Sequence, residues 1–228
     1  MFYFDYYYLI LVVPAIIISL FAQINVKKTY AKMSAINNKK RLTGAQAAEA
    51  LLMSEGINNV RIELGHGKLS DHYDPRSNVI RLSPEVYSGT SIAAVGIACH
   101  EAGHAVQHAH NYVPIKVRNA ILPVANIGST AGFYLAILGY FLGYGLLIDI
   151  GVILFASVTV FQLVTLPIEF NASRRAIATI EERNLLYDDE VPAAKKVLTA
   201  AAMTYVAALL VSIMNLLRLI LRTRNRRN

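Results

Sequence analysis

His100-Glu101-Ala102-Gly103-His104 is an H-E-x-x-H pattern. On a helix, two side chains four positions apart project from the same face, so His100 and His104 can both bind one Zn²⁺. Glu101 between them can take a proton from a water on that ion. The chemistry this proposes is hydrolysis of a peptide bond, with Glu101 as general base. Such a site needs a third protein ligand and a position left open for water.

Three residues compete for the third place. His110 follows His104 by six positions, the spacing of H-E-x-x-H-x-x-G-x-x-H enzymes. Those enzymes need a glycine three residues after the second histidine so that the chain can turn, and here that position is Gln107. His108 lies one turn beyond His104, but histidines at three successive i+4 steps rotate by about 80° around a helix and do not easily converge on one ion. Glu169 is the first acidic residue after two apolar segments, and Pro167 before it is well placed to start a helix. His72, Tyr73 and Arg174 have the chemistry to donate to an oxyanion. Cys99 points about 100° away from His100 on a helix and reads as a packing residue. Asp71 and Asp74 read as turn residues, and His66, between two glycines, as a loop residue.

These groups need a scaffold. Residues 1–24 read as an N-terminal membrane anchor, with nearly continuous apolar sequence over 9–22 behind an aromatic collar (Phe2, Tyr3, Phe4, Tyr6, Tyr7, Tyr8). The charged start and cleavage site of a signal peptide are missing. Lys27, Lys28, Lys32, Lys39, Lys40 and Arg41 follow, and the positive-inside rule puts this part of the chain in the cytoplasm. Residues 25–119 read as a cytoplasm-facing catalytic domain. Thr43 with Gln46 predicts a capped helix over 45–54, ended by Gly56. Short strands are predicted over 60–64 and 79–82, with turn-rich sequence over 71–78 between them. A helix over 91–108 carries the zinc motif, and the strand at 78–82 could pair with an extended substrate.

Residues 120–168 are too long for one span and suit two transmembrane helices, with a turn near Tyr140, Tyr144 and Asp149. The pairs Gly128/Gly132 and Gly139/Gly143 suit close helix packing and could serve a homo-oligomer. Residues 169–198 read as a helix bearing Glu169 and a polar segment, and 199–228 as an apolar helix with a basic tail. If 200–217 crossed the membrane, Arg218, Arg222, Arg224, Arg226 and Arg227 would lie outside, against the charge rule. The favoured reading is a helix packed on the other spans or lying at the interface, with a fourth span as the alternative.

Composition agrees with a membrane protein. Hydrophobic residues make up 55% and charged residues 16%, and the apolar excess falls in blocks. The net charge of +7 does not indicate nucleic acid, because the basic residues flank apolar segments and form the C-terminal tail. A single cysteine rules out an intrachain disulfide.

Leu69-Ser70-Asp71-His72-Tyr73-Asp74-Pro75, His100-Glu101-Ala102-Gly103-His104-Ala105-Val106-Gln107 and Pro167-Ile168-Glu169-Phe170-Asn171-Ala172-Ser173-Arg174-Arg175 together resemble the YugP-type membrane zinc metallopeptidases of bacteria. More distantly the chain is similar to the HtpX and CAAX prenyl protease class, whose H-E-x-x-H is followed by E-x-x-A-D on a later helix. The resemblance implies a mainly α membrane protein: transmembrane helices plus a small α+β zincin-like catalytic domain. It implies a multi-pass protein of the bacterial inner membrane that holds Zn²⁺, with a protein or peptide as substrate and the lipid bilayer as surroundings. Glu169 carries over as third ligand beside His100 and His104, a gluzincin-like set with Glu101 as base. The match departs at Ser173, where the wider class has aspartate. The alternative is a non-catalytic membrane scaffold or adaptor with a structural zinc, which would have no use for Glu101.

Overall fold

A computed structural model describes residues 6–227. In chain order the elements are α1 (Val13–Ser34), α2 (Gly44–Ser54), β1 (Arg61–Leu64), β2 (His72–Asp74), β3 (Val79–Leu82), α3 (Pro84–Tyr87), α4 (Ile92–Ala109), α5 (Val113–Ile127), α6 (Phe133–Leu142), α7 (Gly145–Glu182) and α8 (Val191–Arg227). Short π-helical turns lie at Tyr8–Val12 and Gly128–Gly132. Contacts divide the chain into two units. One comprises Met1–Gln23, Lys116–Pro167 and Met203–Asn228, and the other Ile24–Ile115 and Ile168–Ala202. Phe2, Tyr3 and Phe4 of the aromatic collar lie outside the described residues, as do the side chains of Arg224, Arg226 and Arg227.

In the second unit, α2 starts on a reciprocal cap. The Thr43 hydroxyl accepts the Gln46 N–H at 3.2 Å, and the Gln46 side-chain oxygen accepts the Thr43 N–H at 3.0 Å. At α4 the cap runs one way, the Ser91 hydroxyl accepting the Ala94 N–H at 3.1 Å. The two helices pack through small and aliphatic residues: Ala47, Ala48, Leu51 and Leu52 of α2, and Val95, Ala98 and Ala102 of α4, all buried. Each fully buried leucine or isoleucine in this core contributes about 1.5–3 kcal/mol of transfer free energy. Ala176 and Ile180 of α7, with Ala194 and Leu198 of α8, complete the core.

The sheet has the order β1-β3-β2, with β1 parallel and β2 antiparallel to β3. Two expectations change here. The segment 71–78, predicted as turn, contains the strand β2. Its strand conformation comes from pairing His72, Tyr73 and Asp74 with Arg81, Ile80 and Val79 across the 75–78 turn, a hairpin that turn-rich composition conceals. The strand at 79–82, offered as a partner for substrate, is central. Both of its edges are already paired, and Val79, Ile80 and Leu82 are fully buried.

In the first unit, α5 and α6 turn back at Gly143 (φ 76°) onto the start of α7. Three of the four glycines that suggested close helix packing, Gly128, Gly132 and Gly139, meet α7 of the same chain. A Cβ on Gly132 would stand 2.9 Å from the Phe155 backbone nitrogen, and one on Gly139 2.7 Å from that of Ile148. Only glycine permits this approach of backbones. Helix α8 runs along the same unit. The Thr159 and Ser212 hydroxyls are 2.8 Å apart, and Arg218 and Arg222 lie over the rings of Tyr8 and Tyr140. Among the described residues, four helical runs are long and apolar enough to cross a membrane: Tyr8–Ser34, Val113–Leu142, Gly145–Glu182 and Val191–Arg222. The last contains the stretch 200–217, for which the basic tail and the polar Thr204, Tyr205, Ser212 and Asn215 favoured a non-crossing helix.

Pro167 does not start a helix, because α7 runs through it. The missing N–H removes one bond of the ladder. Against that, Ile168, Ala172, Ala176 and Ile180 follow at helical spacing, and all four are fully buried.

Candidate metal centre

Helix α4 presents His100 and His104 one turn apart, their ring centres 4.7 Å from each other. Helix α7 presents Glu169 opposite them. Its Oε2 lies 3.4 Å from His100 Nε2 and 3.7 Å from His104 Nε2. The three ligand atoms lie within 4.8 Å of one another.

Two observations test whether a metal ion fits. Zinc bonded at about 2.0–2.1 Å in a tetrahedron separates its ligand atoms by about 3.4 Å, close to the two measured distances. In addition, Glu169 Oε2 is buried and makes no hydrogen bond. An orphaned buried carboxylate oxygen is costly unless a cation completes it. His104 shows the same pull. Burial works against its charged form, yet the carboxylates of Glu169 and Glu101 outweigh burial and hold its pKa above the ordinary value. His100, His104 and Glu169 therefore fit a zinc ion. Among the described residues the cluster has three members, which leaves a tetrahedral ion one open position.

Gly103 makes the convergence of α4 and α7 possible. A Cβ there would stand 2.8 Å from the Ala172 carbonyl oxygen, so the helices touch backbone to backbone between the two sides of the ligand set.

Glu101, next to the cluster, accepts the Tyr73 backbone N–H at 3.1 Å through Oε2. Since β2 pairs with β3 on one side only, this N–H places Glu101 along the outer edge of β2.

The other candidates are engaged elsewhere. Helix α4 does not turn after His104 but continues to Ala109. It carries His108 to the Tyr73 hydroxyl (3.1 Å from Nδ1) and His110 to within 3.7 Å of Glu55. The Tyr73 hydroxyl itself donates to Asn78 at 2.9 Å. His72 is exposed, with Nδ1 2.7 Å from the Ser70 carbonyl. Arg174 is exposed and lines a groove of about 350 Å³ between α7 and α8. Cys99 is fully buried, and burial pushes its thiol up to about 12, as suits a packing residue.

Two residues beside the cluster were read from the sequence only by comparison, Ser173 as the place where the wider class has aspartate and Gln107 as the place where a turn glycine is missing. Ser173 Oγ lies 3.1 Å from His100 Nδ1, and Gln107 Oε1 lies 3.0 Å from His104 Nδ1. Spacing alone could have marked them. Ser173 is four residues after Glu169 and Gln107 three after His104, each on the face of the ligand it follows.

Residues 8–224 match the family model described as "Putative neutral zinc metallopeptidase". The chain is 42% identical to "Putative membrane protease YugP" of Bacillus subtilis (strain 168) over 214 residues, covering 94% of this chain and 95% of the relative. No solved structure matches it.

Proposed function

The chain belongs to the neutral zinc metallopeptidase family, and from that premise we propose that it is a membrane-bound zinc endopeptidase. In this reading His100, His104 and Glu169 hold Zn²⁺, Glu101 is the general base, and the unit carrying them is a zincin-like catalytic domain. The observation that carries the reading is the orphaned Glu169 oxygen facing two imidazole nitrogens at 3.4 and 3.7 Å. Zinc bound there would polarise a water and lower its pKa to about 7. Glu101, oriented by the Tyr73 N–H, takes the proton and returns it to the leaving amine.

The outer edge of β2 supports a peptide substrate. The Tyr73 N–H on that edge is taken by Glu101, so an extended chain lying along it would pass beside Glu101 and meet the outward backbone carbonyl of the strand, whereas β3 is paired on both sides. The basic residues from Lys27 to Arg41 support a cytoplasm-facing site in a bacterial inner membrane. A scaffold with a structural zinc calls for four protein ligands; the three-membered cluster and the oriented Glu101 favour the enzyme.

Two variants of the detergent-solubilised protein test this. Glu101→Gln is expected to bind one zinc per chain and to cleave no casein or unfolded test protein. Glu169→Ala is expected to lose zinc affinity by at least about tenfold. Undiminished cleavage by Glu101→Gln would refute the mechanism, and unchanged zinc affinity in Glu169→Ala would remove Glu169 from the ligand set.

A further inference from the structure

We propose that Gln107 is the positioning residue of the metal centre. It sets the tautomer of His104 and ties α4 to α7 beside Glu169. This rests on the reading of His100, His104 and Glu169 as a zinc site.

The inference follows from which groups can donate and which can accept. The Arg175 guanidinium has only donors. Its Nε–H donates to Asn171 Oδ1 at 3.1 Å, so that oxygen, and not the Asn171 amide nitrogen, faces the centre of the network. Gln107 Nε2 lies 2.9 Å from the same oxygen and 2.8 Å from the Ile168 carbonyl. Both are acceptors, so the amide nitrogen of Gln107 must point at them and donate to both. The amide cannot flip without putting Oε1 against two oxygens. Oε1 is thereby turned to His104 Nδ1 at 3.0 Å, where it can only accept. His104 must then carry a proton on Nδ1, which in the neutral ring leaves the lone pair of Nε2 directed at Glu169.

Burial gives the arrangement its force. Gln107 is fully buried, and its side-chain donors and acceptor are all partnered, by the Ile168 carbonyl, Asn171 Oδ1 and His104 Nδ1. A buried, fully satisfied amide admits one orientation, because every alternative leaves polar atoms unpaired at about 1–3 kcal/mol each. The bond to the Ile168 carbonyl also fixes the helix register one residue before Glu169. One side chain thus orients a ligand on α4 and anchors the segment bearing the ligand on α7. The non-glycine at this position lets α4 continue past His104, and it supplies the amide.

The test uses the full-length protein in detergent micelles with zinc as the probe. In zinc-loaded wild type, a long-range ¹H–¹⁵N spectrum of labelled histidines is expected to show His104 coordinated through Nε2 with its proton on Nδ1. Coordination through Nδ1 would overturn the proposal, and this measurement needs no variant. Gln107→Met removes the acceptor and both donors. It is expected to weaken zinc binding, measured by chelator competition on the folded fraction, by about 10–100-fold. Gln107→Glu keeps an oxygen for His104 and loses the donors. It is expected to recover part of the zinc affinity lost in Gln107→Met while melting lower, because its second oxygen faces the Ile168 carbonyl and Asn171 Oδ1. A purely structural role predicts lower melting for both and unchanged zinc affinity, and that result would refute the proposal. Wild type that binds no zinc would instead refute the reading of the cluster as a metal site.

Discussion

Gly103→Ala is the smallest change that separates the two halves of the ligand set. A Cβ at this position stands 2.8 Å from the Ala172 carbonyl oxygen and 3.2 Å from its Cα. The obstacle is backbone and cannot swing aside. Ordinary contact begins near 3.4 Å, so α4 and α7 must separate by about 0.6 Å (3.4 minus 2.8) to accept the methyl group. Metal–ligand distances tolerate about 0.2 Å. The displacement therefore exceeds what the site can absorb, and Glu169 moves away from His100 and His104 with α7. Overpacking of this kind costs about 1–3 kcal/mol.

Gly96→Ala supplies the control, because Gly96 lies on the same helix. The nearest atoms its Cβ would meet belong to Ala194, at 3.7–3.9 Å, which is ordinary contact. Relieving the helix of a glycine there is expected to stabilise by up to about 1 kcal/mol. Two assays decide the matter: zinc affinity by chelator competition and thermal unfolding in detergent. Gly103→Ala is expected to bind zinc at least about tenfold more weakly, by analogy with displaced supporting groups, and to melt roughly 2–12 °C lower. Gly96→Ala is expected to keep wild-type zinc affinity and melt no lower. If Gly103→Ala behaved like Gly96→Ala in both assays, the backbone contact at Ala172 would not be what sets the ligand geometry.

Further outcomes follow from the placement of individual residues. His110→Ala and His108→Ala are expected to leave zinc stoichiometry and affinity unchanged, since both rings point to partners outside the cluster; loss of zinc in either would return that histidine to the ligand set. Thr43→Ala removes the hydroxyl half of the α2 cap and is expected to destabilise by about 1 kcal/mol in thermal unfolding, with no change in zinc affinity. Gly139→Leu drives a side chain into the α7 backbone near Ile148 and is expected to cost about 1–3 kcal/mol. Preserved thermal stability in that variant would show that α6 and α7 do not meet there.

How far the site could be read from sequence depends on whether each signal is local. The caps at Thr43 and Ser91 are exchanged between residues three apart, so a reader of the chain sees both partners. The His100/His104 pair is local for the same reason. The strand β2 is legible only through its hairpin partner: His72, Tyr73 and Asp74 become a strand by pairing five to nine residues ahead, with Val79–Arg81, while their own composition favours turns. Pro167 misleads in the opposite direction. Its local preference is a helix start, and the buried face from Ile168 to Ile180 overrides it.

Glu169 shows where spacing stops being enough. It is sixty-nine positions from His100, and nothing in that separation brings the two together. Small residues do. Gly103 meets Ala172, and Gly96 meets Ala194, so α4 lies close enough to α7 and α8 for short side chains to fill the interface without cavities. In the chain these residues read as unremarkable positions of a helix, whereas the glycines after residue 127 draw attention because they stand in apolar sequence. Gly103 occupies one of the two unspecified places of H-E-x-x-H. The motif names the groups that do chemistry on one helix, and the small residue inside it admits the second helix that completes them.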